Sequence, residues 1–202
     1  MSPLLTPLTI PSGLPVLPRR RLWNCDEFHR MWDQGWFAGQ AVILVEGEIL
    51  QMPAPNPPHD MSTSLADYAL KAVFASGFTV RVQMGLVLGL ATDPIPDVAV
   101  VAGSPRDYVR HPATAALIVE VSESSLAFDR QEKASLYAAA GIQDYWIINL
   151  VDRLIEVHRR PVPNAAQPYG FGYASVTIHR PPDGVTPLAA PNAVILVVDL
   201  SP

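Results

Sequence analysis

Three side chains suited to metal-assisted chemistry lie in order along the middle of the chain. Asp97 precedes the apolar run 98–101, Glu120 interrupts the apolar run 115–121, and Lys133 follows it. A carboxylate buried without a partner is costly, so Glu120 needs a counter-charge, a shifted pKa or a metal ion. If the two runs are neighbouring strands, both carboxylates face one cleft, where a shared divalent cation would relieve their repulsion.

A helix after the Glu120 strand would bring two further side chains to this cleft. A short loop keeps its first turn, with Lys133, near the strand end, and Tyr137 lies one turn further on the same face. A lysine there can orient an attacking water or stabilise charge on a phosphoryl group. Simpler explanations exist: Asp97 could cap a turn, Glu120 could pair with an arginine, and Lys133 could be solvated. The three residues in strand, strand and helix order favour the functional interpretation.

Hydrophobic periodicity and turn residues predict the helices that must position these side chains. Helices are predicted at 24–35, 61–76 and 129–141. Asn24 caps the first helix, and Asp129 with Glu132 three residues later resembles a capping box at the start of the third. The Pro-rich segment 53–60 and the Ser-rich segment 122–128 are predicted as loops.

The remaining periodic segments predict strands, beginning with a hairpin that turns at Glu46-Gly47. Further strands are predicted at 78–84, 85–91, 96–103, 114–121, 144–150, 153–160, 172–180 and 193–200. The run 114–121 is apolar enough to be central and covered on both faces. This order predicts an α/β (α+β) domain, with a mixed β-sheet flanked by helices.

Length and composition fit one globular domain at 21–202 after a Pro-rich N-terminal arm at 1–20. The 202 residues can bury a sizeable core, and 49% are hydrophobic and 16% charged. No apolar run reaches the ~18 residues that a membrane helix needs. The N-terminus also lacks the features of a signal peptide, so we expect a cytoplasmic protein without membrane association.

Charge and missing motifs exclude several classes of function. A net charge of -5 argues against a structural DNA-coating protein, but not against an enzyme whose carboxylates bind metal. The basic groups at 19–21, 106–110 and 159–160 are expected to be solvated surface. Cys25 is the only cysteine and the five histidines are scattered, which argues against a zinc enzyme. No phosphate-binding glycine motif or hydrolase GxSxG motif is present.

Two runs carry a resemblance to a known family. PDVAVV at 96–101 and LIVEVSESSLAFDRQEKASLYAAAGIQDYWIIN at 117–149 resemble the Uma-type family of predicted restriction endonucleases, within the PD-(D/E)xK nuclease superfamily. The resemblance is strongest over 95–150 and is traceable through most of the chain after the arm. It implies a restriction-endonuclease-like fold and cleavage of nucleic acid, with DNA as the expected substrate and Mg²⁺ or Mn²⁺ as the cofactor.

The resemblance assigns roles residue by residue. It implies that Asp97 and Glu120 bind the metal and that the Val121 carbonyl is a third ligand. The superfamily's commonest lysine position, two residues after the glutamate, is occupied here by Ser122. Lys133 instead matches the lysine that this family carries on the following helix.

Other positions depart from the family pattern or match it loosely. Family members often carry a glutamate in the hairpin where this chain has Ile43, although Glu46 is retained at the turn. His59 matches a histidine after the Pro-rich loop, which could contact substrate or cap the helix at 61–76. Gln83 matches a glutamine near the site.

Two hypotheses remain open from the sequence. The first is a Mg²⁺-dependent endonuclease, expected by analogy to act as a homodimer because cutting two strands needs two sites. The second is a non-catalytic interaction module on a degenerate nuclease fold, favoured by the acidic net charge and by Ile43 at the hairpin. A metal or an arginine between Asp97 and Glu120 would distinguish them.

Overall fold

The computed structural model, which describes residues 19–202, is built around one six-stranded mixed sheet. The helices are α1 (Cys25–Asp33), α2 (Pro57–Val73), α3 (Leu126–Phe128), a π-helical turn (Asp129–Lys133) and α4 (Ala134–Ala139), with 3₁₀ turns at Pro105–Asp107 and Val197–Asp199. The strands are β1 (Val42–Val45), β2 (Glu48–Gln51), β3 (Phe78–Val82), β4 (Val98–Ala102), β5 (Leu117–Ser122), β6 (Asp144–Asn149), β7 (Leu154–Pro163), β8 (Phe171–His179), β9 (Gly184–Val185) and β10 (Ile195–Leu196). Most of the predicted arm at 1–20 lies outside the described residues.

The strand order of the central sheet is β3-β4-β5-β6-β7-β8. Neighbouring strands are antiparallel except for β5 and β6, which are parallel and are joined by the helical segment 126–139. The mixed α+β fold predicted from the sequence is therefore confirmed. In residues 19–202 no helix is both long and apolar enough to cross a membrane.

The two faces of the sheet are covered by different helices. α2 packs Ala66 and Leu70 against one face, and α4 packs Tyr137 against the other. Every residue of β5 is buried, as the apolar run 114–121 predicted, and every residue of β6 is buried as well. The hairpin β1-β2 forms a sheet of its own beside the helical segment 126–139.

Two predicted helix starts are wrong by several residues. α2 begins at Pro57 rather than at residue 61, because the Asn56 side chain accepts from the His59 backbone N–H and prolines occupy the first helical positions. The third helical segment begins at Leu126, so Asp129 does not cap its start. In both cases residues that look like loop composition form the first helical turn.

Two predicted strands and one surface prediction are also wrong. Segment 85–91 is irregular, and its apolar character reflects packing, since Leu86 is fully buried. In 193–200 only Ile195–Leu196 is a strand, and a 3₁₀ turn follows. Arg159, predicted to be solvated, donates through Nε to the buried carboxylate of Asp144 at 2.8 Å.

Candidate active site

Asp97 and Glu120 lie side by side because β4 and β5 are antiparallel neighbours. Val98 pairs with Val119, so Asp97, just before β4, lies beside Glu120 on β5. The Asp97 backbone N–H donates to Glu120 Oε2 at 3.3 Å, and the Val121 backbone N–H donates to Asp97 Oδ2 at 2.8 Å. The two acids are therefore fixed by each other's strands.

Lys133 is the counter-charge of Glu120 among the described residues. Its Nζ lies 3.0 Å from Glu120 Oε2 and 3.0 Å from Asp129 Oδ1. The Tyr137 hydroxyl donates to the other oxygen of Glu120, Oε1, at 2.6 Å. Both the glutamate and the lysine are buried, with side-chain exposures of 1% and 9%. The helix therefore delivers one cation and one neutral donor to the same carboxylate.

The π-helical turn at Asp129–Lys133 positions this lysine. Ser125 Oγ donates to Asp129 Oδ2 at 2.6 Å, and Ser122 Oγ also donates to that oxygen. Asp129 is thereby held against β5 and orients Lys133 one turn later. Single π-helical turns are rare and frequently occur at functional sites. Ser122 on β5 thus anchors the acid that holds Lys133.

The acids open into a cavity of about 270 Å³ between the central sheet, the hairpin and the start of α2. His59 reaches it from the first turn of α2, with Nε2 3.2 Å from Asp97 Oδ2. Gln83 reaches it from the end of β3, where its backbone has a φ of 49° and its N–H donates to the Asp97 carbonyl at 3.1 Å. A positive φ outside glycine is uncommon and often marks a constrained site. Further lining residues include Val42, Ile43, Met52, Asn56, Ile95, Val121, Glu123 and Ser125.

Burial and charge shift the pKa values of these side chains in different directions. Burial raises the pKa of Glu120 to about 8, because the positive charge of Lys133 offsets the loss of hydration only in part. Burial would raise the pKa of Asp97 as well, but the hydrogen bond and charge of His59 hold it below its usual value. Burial would lower the pKa of Lys133, yet the surrounding carboxylates raise it, so the ammonium stays charged.

Comparison with known proteins identifies the family. The sequence model of the Uma2 family, described as "putative restriction endonuclease", matches residues 25–198. The chain belongs to the Uma2 family. A crystal structure described as a "putative nuclease belonging to DUF820" from Anabaena variabilis is also similar, with a TM-score of 0.64. The similarity covers 88% of this chain and 96% of that chain at 18% identity, which shows a shared fold. Nothing among the curated proteins matches the chain.

Membership of the Uma2 family supports a nuclease function, and the geometry shows which predicted residues of this Uma2 chain meet. Asp97, Glu120, Lys133, His59 and Gln83 all line the cavity. Asn56 rather than His59 caps α2, so the capping alternative for His59 is wrong.

Glu46 and Tyr137 lie outside the cavity lining. Glu46 is exposed at the hairpin turn, where its Oε1 accepts from the Thr92 hydroxyl at 2.9 Å. Tyr137 is fully buried and reaches the site through its hydrogen bond to Glu120. Ile43, where the resemblance predicted a departure from a glutamate, lines the cavity with an apolar side chain.

The oxygen donors present fit a hard divalent cation. Asp97 and Glu120 contribute carboxylate oxygens, and Val121 lines the same cavity. In an extended strand the N–H and C=O of one residue point to the same side. Because the Val121 N–H points to Asp97, its carbonyl also points toward the β4 side of β5. Such a set of oxygens suits Mg²⁺ or Mn²⁺, which retain waters in their remaining positions.

Sequence reasoning missed Asp129 as part of the site. Its spacing to Glu132 indicated a capping box, whereas its spacing of four residues to Lys133 is the one that the structure uses. The serines at 122 and 125 were a further signal, because a buried carboxylate needs donors of this kind.

Proposed function

We propose that this Uma2 chain is a Mg²⁺-dependent endonuclease that hydrolyses phosphodiester bonds of nucleic acid, with DNA as the expected substrate. The observation that supports it best is the convergence of Asp97, Glu120 and Lys133 at one cavity. Two acids on neighbouring strands with an adjacent lysine form a site that combines cation binding with stabilisation of phosphoryl charge.

Asp97, Glu120 and the carbonyl of Val121 are the groups that would hold the ion. When bound, Mg²⁺ or Mn²⁺ supplies neutralisation of phosphate charge and a water of lowered pKa. Asp97 is ionised over the physiological range, since its pKa lies below the usual value. Glu120 has to lose its proton to serve as a ligand, because burial raises its pKa to about 8.

The remaining side chains orient the acids and present positive charge to a phosphate. The Tyr137 hydroxyl holds Glu120 Oε1, which leaves Oε2 on the side of Asp97 and Lys133. The Lys133 ammonium stays charged and lines the cavity, where it can stabilise developing charge on a phosphoryl oxygen. His59, whose pKa the hydrogen bond to Asp97 raises, supplies a second donor at the cavity wall.

Cleavage of both strands of a duplex in one binding event uses two such sites. We therefore propose that the chain acts as a homodimer on double-stranded DNA. The ratio of nicked to linear product from a supercoiled plasmid, measured against protein concentration, reports on this part of the proposal.

The proposal is tested by a cleavage assay with Mg²⁺ or Mn²⁺ on plasmid DNA, single-stranded DNA and RNA. Asp97→Asn is expected to lower the rate by at least about 10³-fold, because it removes a metal ligand. Asp67→Asn is the matched control. Asp67 lies on α2 outside the cavity lining, and its Oδ2 is 2.7 Å from Lys71 Nζ. The control is expected to cleave like the wild type.

A different result identifies the alternative function. If the wild type cuts none of these substrates and calorimetry detects no binding of Mg²⁺ or Mn²⁺, the nuclease proposal is wrong. The chain would then be an interaction module on a nuclease fold.

A further inference from the structure

A second cluster of metal-ligating side chains lies outside the candidate active site. His29 from α1, Asp93 from the loop before β4 and His111 from the loop before β5 place one ligand atom each within 4.8 Å of one another. His29 and Asp93 are 64 positions apart in the sequence, and Asp93 and His111 are 18 apart. The fold, and not a local motif, therefore brings them together. No member of this cluster belongs to the proposed endonuclease site.

The distances suit a small cation. His111 Nδ1 lies 3.2 and 3.3 Å from the two oxygens of Asp93, and His29 Nε2 lies 2.5 Å from Oδ2. Ligands bonded to Zn²⁺ at about 2.0–2.1 Å in a tetrahedron are separated by about 3.3 Å. His111 Nδ1 already has that separation from the Asp93 oxygens. His29 Nε2 has to move away from Asp93 Oδ2 by less than about 1 Å to reach it.

The backbone around the cluster is adapted to a close approach of His111. A Cβ atom on Gly85 would lie 2.2 Å from the imidazole ring of His111 and 2.8 Å from Asp93 Oδ1. Only glycine at this position lets the ring lie against the chain next to the carboxylate. The absence of a side chain at residue 85 is therefore part of how the three ligands meet.

Access and burial are arranged as in a metal site with an open position. The Asp93 side chain is 3% exposed, whereas those of His29 and His111 are 38% and 42% exposed. The carboxylate thus lies at the base of a cavity, with the two imidazoles at its mouth. This cavity has a volume of about 750 Å³ and borders the active-site cavity at Gln83 and Ile95.

The ligand types select a different cation from that of the acid pair. Two imidazole nitrogens and one carboxylate oxygen favour Zn²⁺ and neighbouring first-row transition metals, while Mg²⁺ prefers oxygen ligands alone. We propose that His29, Asp93 and His111 bind one divalent transition-metal cation, with Zn²⁺ as its test ion. The ion fastens α1 to the loops before β4 and β5, and a water or an exogenous ligand completes its coordination.

Zn²⁺ titration of the chelator-stripped full-length chain by calorimetry tests this site. The wild type and Glu120→Gln are expected to bind Zn²⁺ with equal affinity at this site, which separates it from the acid pair. His29→Ala and His111→Ala are expected to weaken binding by at least about 100-fold. His179→Ala is the matched control, because within residues 19–202 His179 on β8 belongs to no such cluster and contacts Thr177.

Two further measurements keep the test independent of folding defects. Zn²⁺ should raise the unfolding temperature of the wild type by about 5 °C or more, and the increase should vanish in His111→Ala. Co²⁺ should give a visible absorption band that Gly85→Ala weakens, although that variant retains all three ligands. If both histidine variants bind Zn²⁺ like the wild type, or the wild type binds none, the site is wrong and the histidines only hydrogen-bond Asp93.

Discussion

Two buried glutamates on one face of the central sheet have pKa values shifted in opposite directions, upward for Glu120 and downward for Glu156. Glu120 on β5 and Glu156 on β7 both pair with Ile147 on the strand between them, so the two side chains lie on the same face. They are 1% and 4% exposed. The same helical segment supplies a basic partner to each, Lys133 to the first and Arg130 to the second. Burial and neighbours are therefore similar, and what differs is how completely each carboxylate is satisfied.

Both carboxylate oxygens of Glu156 accept hydrogen bonds from neighbouring side chains. Arg130 donates through Nε at 3.0 Å to each oxygen and through its terminal nitrogen at 2.6 Å, and Asn149 Nδ2 adds a bond at 3.1 Å. Burial would raise the pKa of Glu156, but the neighbouring His158 and the hydrogen bonds from Arg130 and Asn149 lower it to about 2. Its contribution to stability is present above the ordinary pKa of 4.5 and is lost as the pH falls toward 2.

Glu120 is left with an excess of negative charge. Lys133 is a single ammonium that Glu120 shares with Asp129, and Asp97 adds a second acid at the same cavity. Burial raises the pKa of Glu120 to about 8, and the cavity gives access to a further cation. A buried carboxylate therefore indicates function when its charge is unbalanced and it faces an opening. A buried carboxylate whose two oxygens both accept hydrogen bonds from one arginine indicates a structural role.

The largest expected effect comes from neutralising each glutamate in turn. Glu120→Gln is expected to lower the cleavage rate by at least about 10³-fold, because a metal ligand is lost. It is expected to change the free energy of unfolding by no more than about 1 kcal/mol, since Tyr137 can still donate and Lys133 keeps Asp129. Plasmid cleavage and urea unfolding measure the two quantities.

Glu156→Gln is the matched control and should behave in the opposite way. Its cleavage rate should stay within about threefold of the wild type, while the lost pairing with Arg130 costs about 1–2 kcal/mol of stability. Equal loss of cleavage in both variants would mean that the two carboxylates do not differ in role.

The next largest effect concerns the two basic partners. Lys133→Met is expected to lower the cleavage rate by about 10²-fold, because the charge at the cavity is lost while the acids remain. Arg130→Met should leave cleavage within about threefold and lower stability by about 1 kcal/mol, a small value because the arginine side chain is 42% exposed. Single-turnover rates and urea unfolding of both variants decide between the roles. If Arg130→Met lost more cleavage than Lys133→Met, the assignment of a catalytic role to Lys133 and a structural role to Arg130 would be wrong.

The parts of this site that sequence predicts are those set by strand periodicity. Asp97 and Glu120 each adjoin an apolar run that is long enough to be a buried strand, and pairing of the two strands brings the acids together. Lys133 follows from a helix that has to return across the sheet after β5. In each case the position depends on regular backbone geometry, which a pattern of apolar residues determines.

The parts that sequence does not predict depend on irregular backbone. The third helical segment begins at Leu126, so Asp129 lies inside its π-helical turn and the cap that the spacing of Asp129 and Glu132 indicated does not form. His29 and Asp93 lie 64 positions apart, on α1 and in the loop before β4, and no local spacing reveals that they meet. Segment 85–91 looked like a strand because Leu86, Val87 and Leu88 pack into the cores, yet its only ladder pairing in the described residues is the isolated bridge between Gly89 and Thr92. Contacts of this kind require the tertiary structure.

The smallest effect is a pH dependence that only Glu120 should cause. Because burial raises the pKa of Glu120 to about 8, the metal-free side chain holds a proton below that pH, and a bound Mg²⁺ has to displace it. The affinity for Mg²⁺ should therefore rise by up to about tenfold per pH unit as the pH approaches 8, and level off above it. The metal-free chain should show the reverse trend in stability. A carboxyl whose pKa is raised on folding stabilises the fold below its ordinary pKa of 4.5, and this is lost as the pH rises through about 8.

Calorimetry between about pH 6 and pH 9, in buffers of different ionisation enthalpy, counts the protons released as Mg²⁺ binds. Close to one proton per ion is expected at the lower end, from the wild type and from Glu156→Gln alike, because the low pKa of Glu156 leaves it ionised throughout this range. The Glu120→Gln variant should bind Mg²⁺ weakly and should release no proton as it does so. An affinity that is flat with pH in the wild type would mean that Glu120 is already ionised beside Lys133. The two glutamates would then differ in the geometry of their partners but not in their charge.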